Sequence, residues 1–545
     1  MKELKKLSNS FFAIKSWLLT LLVVALISGT AYASKPFAIP TFHCVSIYWS
    51  PEAGSINNHV LIEYRVFGEK KWLTGLPMRY NPIASPETKG DYRGSIVNLT
   101  PNTLYEISVK LEQGNENAIF KVKTLNENFP VSQTIRIQDQ NKSLIIDQSG
   151  TENGYIVYDG KGILLDLNNQ EQQGILVKAS YVILRGFTIR NTQKYGILIK
   201  EGHHIVIEGC DISKWGEHSE KGFGVNYQGG IFSLNRDVHN LVIQRNKIHH
   251  PNWDSNSWSE LHKGILHPQG PQAIAFQESA GNNIIRYNEC WSDTSHQFND
   301  VIGYGSNAGY RGFPGADSDI YGNYFANCWD DGIEAEGGNQ NVRIWNNYIE
   351  TAFIAVANAA TSIGPLYVWR NVGGPGLSYF VKMGFAGNES WMTGHMYFFN
   401  NTVFQTKDDG FGGLGTSGKA QRIIKHCISR NNILQGREKD SFSLSINKSN
   451  VDNDFDYDLL SGQYPVGEEK NGIIGLPQYI SNAGFSFESK IGNFQLKRGS
   501  PGFNKGEVIP NFADKYKGSA LDMGAHQSGT KDFLYGINAH FIPAK

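Results

Sequence analysis

VILRGFTI (Val182–Ile189), IVIEGCDI (Ile205–Ile212) and LVIQRNKI (Leu241–Ile248) are three passes of one pattern: an alternating strand, a Gly or Asn, then another apolar pair. Six further passes follow: IIRYNEC from Ile284, DIYGNYF from Asp319, VRIWNNYI from Val342, LYVWRNV from Leu366, YFFNNTV from Tyr397 and CISRNNIL from Cys427. They align on Gly186, Gly209, Asn246, Asn288, Asn323, Asn347, Asn371, Asn401 and Asn432. The spacing is 23 or 24 residues where shortest and 30 to 42 where loops are inserted into the basic coil. A fixed period with one strand type per pass is the signature of a solenoid. Gly and Asn tolerate a left-handed corner, and stacked Asn side chains can hydrogen-bond along the stack.

A second strand recurs in each coil: GILVKAS from Gly174, GILIKEG from Gly196, GIFSLN from Gly230, AIAFQES from Ala273, VIGYGSN from Val301, GIEAEGG from Gly332 and FIAVANA from Phe353, with YFVKMG from Tyr379 fitting less cleanly. The second residue of the first seven is Ile (Ile175, Ile197, Ile231, Ile274, Ile302, Ile333, Ile354), expected to form an inward apolar stack. Because strand side chains alternate, the residues on either side of the next position face out. That outward column holds Gly303/Gly305, Glu334/Glu336 and Ala355/Ala357: small residues around two acids. Asp300 and Asp331 hold the same place on successive coils, each two residues before the inward Ile, and Asp330 adjoins Asp331. Asp300, Asp330, Asp331, Glu334 and Glu336 are therefore the catalytic candidates. Carboxylates crowded in this way raise one another's pKa, a feature concentrated at functional sites. They suit a general acid and base pair, or a calcium site drawn from Asp300, Asp330, Asp331 and Glu334. An Asp-Asp-Gly is also ordinary turn chemistry.

The insertions carry Trp215, Trp253, Trp258, Trp291, Tyr310 and Trp329, rings of the kind that stack on sugars, and His249, His250, His262, His267 and His296, whose spacing fits no zinc pattern. His262, His267, Arg311 and Lys382 are the substrate-binding candidates; a cation there would suit an acidic sugar or serve as the proton abstractor of an elimination. Lys178 and Lys200 share the face. With 50 basic and 51 acidic residues and no basic stripe, nucleic-acid binding is excluded.

Before the solenoid, residues 35–126 alternate with strand period in CVSIYWSP, HVLIEYRVFG and YEISVKLE. GSIVNLTPNTLYEISV resembles a fibronectin type III domain: Leu99, Pro101 and Tyr105 match its turn and tyrosine corner, and Trp49 its buried Trp. Residues 127–140 read as a linker and 529–545 as a tail. The start has a basic region (Lys2, Lys5, Lys6, Lys15), the apolar run WLLTLLVVALISG and the small-residue AYAS, a secretory signal with cleavage after Ala33. The expected location is therefore outside the cell, in the periplasm or on the surface, with no membrane span in the mature chain. Cys44, Cys210, Cys290, Cys328 and Cys427 are too scattered for a disulfide framework and are expected to be buried thiols.

Residues 141–528 resemble the pectin-lyase-like superfamily of right-handed parallel β-helices, with GYIVYDGKGILLD from Gly154 like its opening strands and FQLKRGSPGFNKG and LDMGAHQ like its closing segment. The resemblance implies an all-β chain, a sandwich followed by a right-handed parallel β-helix, that binds and cuts an acidic polysaccharide. FND…WDDGIEAEGGN is partly similar to the polygalacturonases, which implies inverting hydrolysis with Asp300, Asp330 and Asp331 in their places. Their Gly-His-Gly and Arg-x-Lys motifs have no clear counterpart here. Three functions stay open: glycosidic hydrolysis, calcium-dependent β-elimination, and a non-catalytic carbohydrate-binding or surface protein.

Overall fold

The computed structural model describes residues 35–541, apart from 83–89, 261–266, 305–307, 360, 385–387, 407–408, 413–422, 437–439, 447–451, 513–515 and 517. The leader with its cleavage point after Ala33, and His262, lie outside the described residues. No described helix is long and apolar enough to cross a membrane.

Each coil of the solenoid contributes one strand to a 12-stranded parallel sheet, turns, and contributes two more to a 21-stranded sheet. Val182–Arg185, His203–Glu208 and His239–Gln244 stack in the first; Gln173–Val177, Tyr195–Ile199, Gly229–Ser233 and Gln272–Phe276 stack in the second. Ile175, Ile197, Ile231, Ile274, Ile302 and Ile333 are fully buried between the sheets, where they meet Ile205, Ile207, Ile243 and Ile285. This apolar stack, repeated every rung at about 4.8 Å, is the chief source of stability, since each buried aliphatic side chain contributes roughly 1.5–3 kcal/mol. All five cysteines are buried free thiols.

The corner chemistry differs from the sequence expectation in one respect. The left-handed residue is the one before the Asn: Arg245 (φ 57°), Tyr287 (57°), Gly322 (67°), Asn346 (52°), Arg370 (55°), Asn400 (51°) and Asn431 (62°). Gly186 and Gly209 belong to that left-handed column, so Phe187 and Cys210, not the glycines, precede Asn246 in the Asn column. The Asn residues are there for the ladder. From Asn246 through Asn288, Asn323, Asn347, Asn371 and Asn401 to Asn432, each Nδ2 donates to the Oδ1 of the next at 2.9–3.1 Å.

A second correction concerns Ile354. It lies in the register of Asp331, while Val356 lies beside Ile333 and Ala357 beside Glu334. Ala355 is accordingly part of the core, not of the outward column.

Residues 37–123 form a sandwich of two four-stranded antiparallel sheets around Ile47, Trp49, Ile62, Tyr92, Tyr105 and Val109. The Thr100 N–H donates to Tyr105 Oη at 2.9 Å, as a tyrosine corner requires. The sandwich lies against the outer face of the 12-stranded sheet. There Arg343, fully buried, donates to Asp319 Oδ1 (2.6 Å), Ser46 Oγ (2.7 Å) and the Asp317 carbonyl (2.9 Å). Asp317 is a left-handed corner residue, and Asp319 is a strand residue. Val131–Arg136, within the stretch read as a linker, pairs with Tyr155–Asp159 as the first strand of the 12-stranded sheet. Phe533–Leu534, within the stretch read as a tail, pairs with Ile491–Asn493. With the 12-stranded face covered, the 21-stranded sheet is left to carry the acids.

Candidate active site

The acids converge because of one register and one bulge. Ile302 pairs with Ile333 and Gly303 with Glu334, which sets Asp300 beside Asp331 on the neighbouring coil. The Asp331 N–H donates to Asp300 Oδ1 at 3.1 Å. Asp330 and Asp331 are sequence neighbours, and a regular strand would turn them to opposite faces. The strand Tyr324–Glu334 is not regular there: between Cys328 and Asp331 it has one residue more than its partner, where Cys328 faces Ala352 and Asp331 faces Ile354. Such a bulge re-aims side chains. It brings carboxylate oxygens of Asp300, Asp330 and Asp331 within 4.8 Å of one another.

Lys382 reaches this group from two rungs away, through the column Glu334–Ala357–Lys382. The small Ala357 lets the long side chain lie across it. Lys382 Nζ is 2.8 Å from Glu336 Oε1 and 3.4 Å from Asp331 Oδ2. Gly303 makes room on the other side: a Cβ there would lie 2.5 Å from Glu334 Cβ and 3.2 Å from Glu334 Oε2. Asp300, Asp330, Asp331, Glu334 and Glu336 are all buried.

Burial and mutual repulsion push these groups apart in proton affinity. Asp300 is raised by burial, but three donors oppose this: Gln272 Nε2 at 2.7 Å, Asn299 Nδ2 at 2.8 Å, and the Asp331 N–H. Burial raises Asp331 to about 6, with Lys382 pulling the other way. Asp330 is driven well above the carboxylate range by burial and then by Asp331 and Asp300. Glu334 is driven up by burial, Asp300 and Asp331. Burial disfavours the charge on Lys382, but Asp331, Glu336 and Asp330 outweigh it and hold the ammonium well above its ordinary range. Asp330 and Glu334 are thus the carboxyls driven hardest to keep a proton, Asp331 titrates at about 6, and Lys382 is a fixed ammonium. Asp331 Oδ1 and Glu334 Oε2 have no hydrogen-bond partner among the described residues.

Of the substrate-binding candidates, His267 and Lys382 are brought to the acids. His267, mostly exposed, places Nε2 3.0 Å from Asp330 Oδ2. The Trp258 ring lies 4.9 Å from its ring, edge on. Arg311 is placed by its backbone against the Glu336–Gly338 turn: a Cβ on Gly338 would lie 3.0 Å from Arg311 Cα. Trp215 is a core residue, fully buried and stacked near Phe298. Sequence reasoning missed Gln272 and Asn299, and also Tyr227, which stacks on Tyr304 at 4.7 Å and whose hydroxyl is pushed up by burial and by the charges of Glu334 and Asp300. Gln272 was legible in principle, since it stands two residues before the inward Ile274, where Asp300 and Asp331 stand before theirs. As for a metal, the three Asp oxygens have the closeness of a hard-cation set, though Lys382 already occupies one side of Asp331.

Residues 173–364 match the family model described as "Right handed beta helix region". The fold is a right-handed parallel β-helix. Among solved structures, the chain is similar to the catalytic domain of a GH87 alpha-1,3-glucanase variant in complex with nigerose, at 9% identity and a TM-score of 0.33, over 82% of this chain and 92% of that one. The same catalytic domain in complex with tetrasaccharides has the same identity and TM-score, over 82% of this chain and 97% of that one. Pectate lyase PelI from Erwinia chrysanthemi is similar at 9% identity and a TM-score of 0.17, over 77% of this chain and 99% of that one. No curated protein matches the chain.

Proposed function

We propose that this β-helix protein is a secreted polysaccharide hydrolase, exported after cleavage following Ala33. Asp330 is the acid that protonates the glycosidic oxygen, and Asp331, supported by Asp300, is the base that activates water. The observation that carries the reading is the bulged Asp330–Asp331 pair against Asp300. One geometry holds a carboxyl that keeps its proton and a carboxylate that has lost it, the requirement of glycosidic hydrolysis. The converging oxygens are closer than the ~6.5–9.5 Å of an inverting pair. Inversion therefore requires the outer oxygens of Asp330 and of Asp331 or Asp300 to flank the bond.

Elimination fits less well, because its base must start unprotonated and Lys382 is held protonated by two carboxylates. Five carboxyl groups converge on the ammonium of Lys382. An acidic sugar, the class expected from sequence, would enter with a divalent cation bridging it to the Asp trio; a neutral sugar needs no bridge. The sandwich is proposed as a fibronectin type III-like module that stiffens the helix.

Incubation with a panel of neutral and uronic polysaccharides is expected to release new reducing ends with no ultraviolet-absorbing unsaturated product, at a rate that chelator leaves unchanged on the neutral polymers. An unsaturated product whose formation stops on chelation would replace hydrolysis with calcium-dependent elimination; no cleavage of any polymer would favour a binding protein.

Activity should fall as pH drops through about 6, where Asp331 takes up its proton, and should fall again in alkali when Asp330 loses its own. Removing the ammonium in Lys382→Met raises the Asp331 pKa, so the acid limb of the kcat/KM profile moves up by at least about one unit. An unmoved limb would remove Asp331 as the base.

A further inference from the structure

We propose that His395, His426 and Asp452 form a binding site for zinc or a similar first-row divalent transition ion, separate from the acidic trough, that fastens the last coils of the solenoid together. The three residues hold one position on three consecutive coils. Met396 pairs with Cys427, and Ile428 with Asp454, so continuing each register back places His395 opposite His426 and His426 opposite Asp452. Rungs separated by about 4.8 Å bring side chains of equal position into contact. One donor atom from each of the three lies within 4.8 Å of the others.

The donor atoms meet at a point. His395 Nε2 is 3.5 Å and His426 Nδ1 2.8 Å from the same oxygen, Asp452 Oδ2, and the two imidazole centroids are 5.1 Å apart. Ligands at ~2.0–2.2 Å from a tetrahedral ion are separated by roughly 3.3 Å. The first pair already has that separation; the second must open by about 0.5 Å. Two imidazoles and a carboxylate are the donor set of a borderline ion, not of calcium, which takes six to eight oxygens. The His395 and His426 side chains are largely buried and Asp452 is half exposed, which leaves an open side for water as the fourth ligand. The segment carrying Asp452 is held before any ion arrives. Asn453 Nδ2 donates to the Ile424 carbonyl at 2.9 Å, and its Oδ1 accepts the Cys427 N–H at 3.0 Å. Outer contacts of this kind fix ligand orientation. Neighbouring Lys425 is engaged by Glu389 at 2.5 Å.

The location gives the ion a purpose. The strands shrink at this end: Asp454–Phe455, Leu459–Leu460 and Ile473–Ile474 have two residues each, against four for Met396–Phe399 and Cys427–Arg430. Short terminal rungs bury little and hold few ladder bonds, so a cross-link through three coils stabilises the part of the stack with least stacking of its own.

The test uses the full chain stripped by chelator and dialysed. Titration with Zn2+ in a calorimeter, and with Co2+ followed by visible absorption, is expected to show one ion per chain with Kd at or below about 10 µM, and a rise of about 3 °C in the thermal midpoint at hundredfold excess. His426 and Asp452 have left-handed backbones (φ 57° and 54°), a conformation that Asn accepts, so His426→Asn and Asp452→Asn leave the fold intact. Each should weaken Zn2+ binding at least about 100-fold, while Asp330→Asn in the trough leaves it unchanged. Wild-type protein that binds neither ion below about 100 µM overturns the proposal. So does binding that survives both His426→Asn and Asp452→Asn or disappears with Asp330→Asn, which would put the ion among the catalytic acids.

Discussion

Asp330→Asn lowers kcat for glycan cleavage by at least about 10³-fold while the protein folds and melts as before. The magnitude follows from the role: a positioned general acid contributes roughly 10²–10⁴-fold, and about 4 kcal/mol of barrier corresponds to 10³. Asparagine keeps the shape of the side chain and its contact with His267, but it has no proton to give to the departing oxygen. Stability does not fall, because burial and the neighbouring acids already keep Asp330 protonated, and one uncharged group replaces another. The measurement is a reducing-end assay at saturating substrate, paired with a thermal melt. Retention of more than about a tenth of the wild-type kcat in a normally folded variant would remove Asp330 from the chemistry. An aryl glycoside with a good leaving group sharpens the assignment: it needs little protonation, so the variant should lose far less on it than on the natural polymer if Asp330 is the acid.

The part of this site that was legible in the sequence is the part fixed by coil register. Asp300 and Asp331 stand at equal distance from an inward Ile, and a solenoid with a filled interior cannot slip by one residue without turning its core out. The repeats and the Ile stack were legible for the same reason. The rest depended on departures from regularity. Strict alternation turns Asp330 away from Asp331, and only the extra residue after Cys328 brings both to the trio. That extra residue also moved the pairing of the next strand, which is why Ile354 fell opposite Asp331 and Val356 took the place beside Ile333. Lys382 was visible as a cation on the right face, but its reach across Ala357 to Glu336 and Asp331 depends on side-chain length over two rungs, which no spacing expresses. The Asn column was visible as a repeat and misjudged in its cause. Arginine and tyrosine occupy the left-handed corner as readily as glycine does, so backbone tolerance does not explain the Asn.

What does explain it predicts the largest loss of stability on the solenoid side. Asn347→Ala is expected to cost about 4 kcal/mol. In the wild type, Asn347 Oδ1 accepts the Asn323 N–H (3.1 Å) and Asn323 Nδ2 (2.9 Å), while its own Nδ2 serves the Ile320 carbonyl (3.0 Å) and Asn371 Oδ1 (2.9 Å). All of these groups are buried, with no water path to replace the lost partner. Alanine leaves at least two donors and one carbonyl unpaired, each worth roughly 1–3 kcal/mol. The denaturant midpoint should fall with little change in slope. Asp at the same place should do no better, because a carboxylate would accept from Asn323 but would turn oxygen toward the Ile320 carbonyl and Asn371 Oδ1. The chain itself uses that asymmetry. The ladder ends at Asp458, whose Oδ1 accepts from both the backbone N–H (2.6 Å) and Nδ2 (2.8 Å) of Asn432, while Oδ2 accepts from Ser429 Oγ (2.5 Å). At the last rung nothing further has to be donated to, and an acceptor-only side chain fits. Asp458→Asn should therefore be mild where Asn347→Asp is severe; equal effects at the two positions would mean that the directional chain of amides is not what the Asn repeat is for.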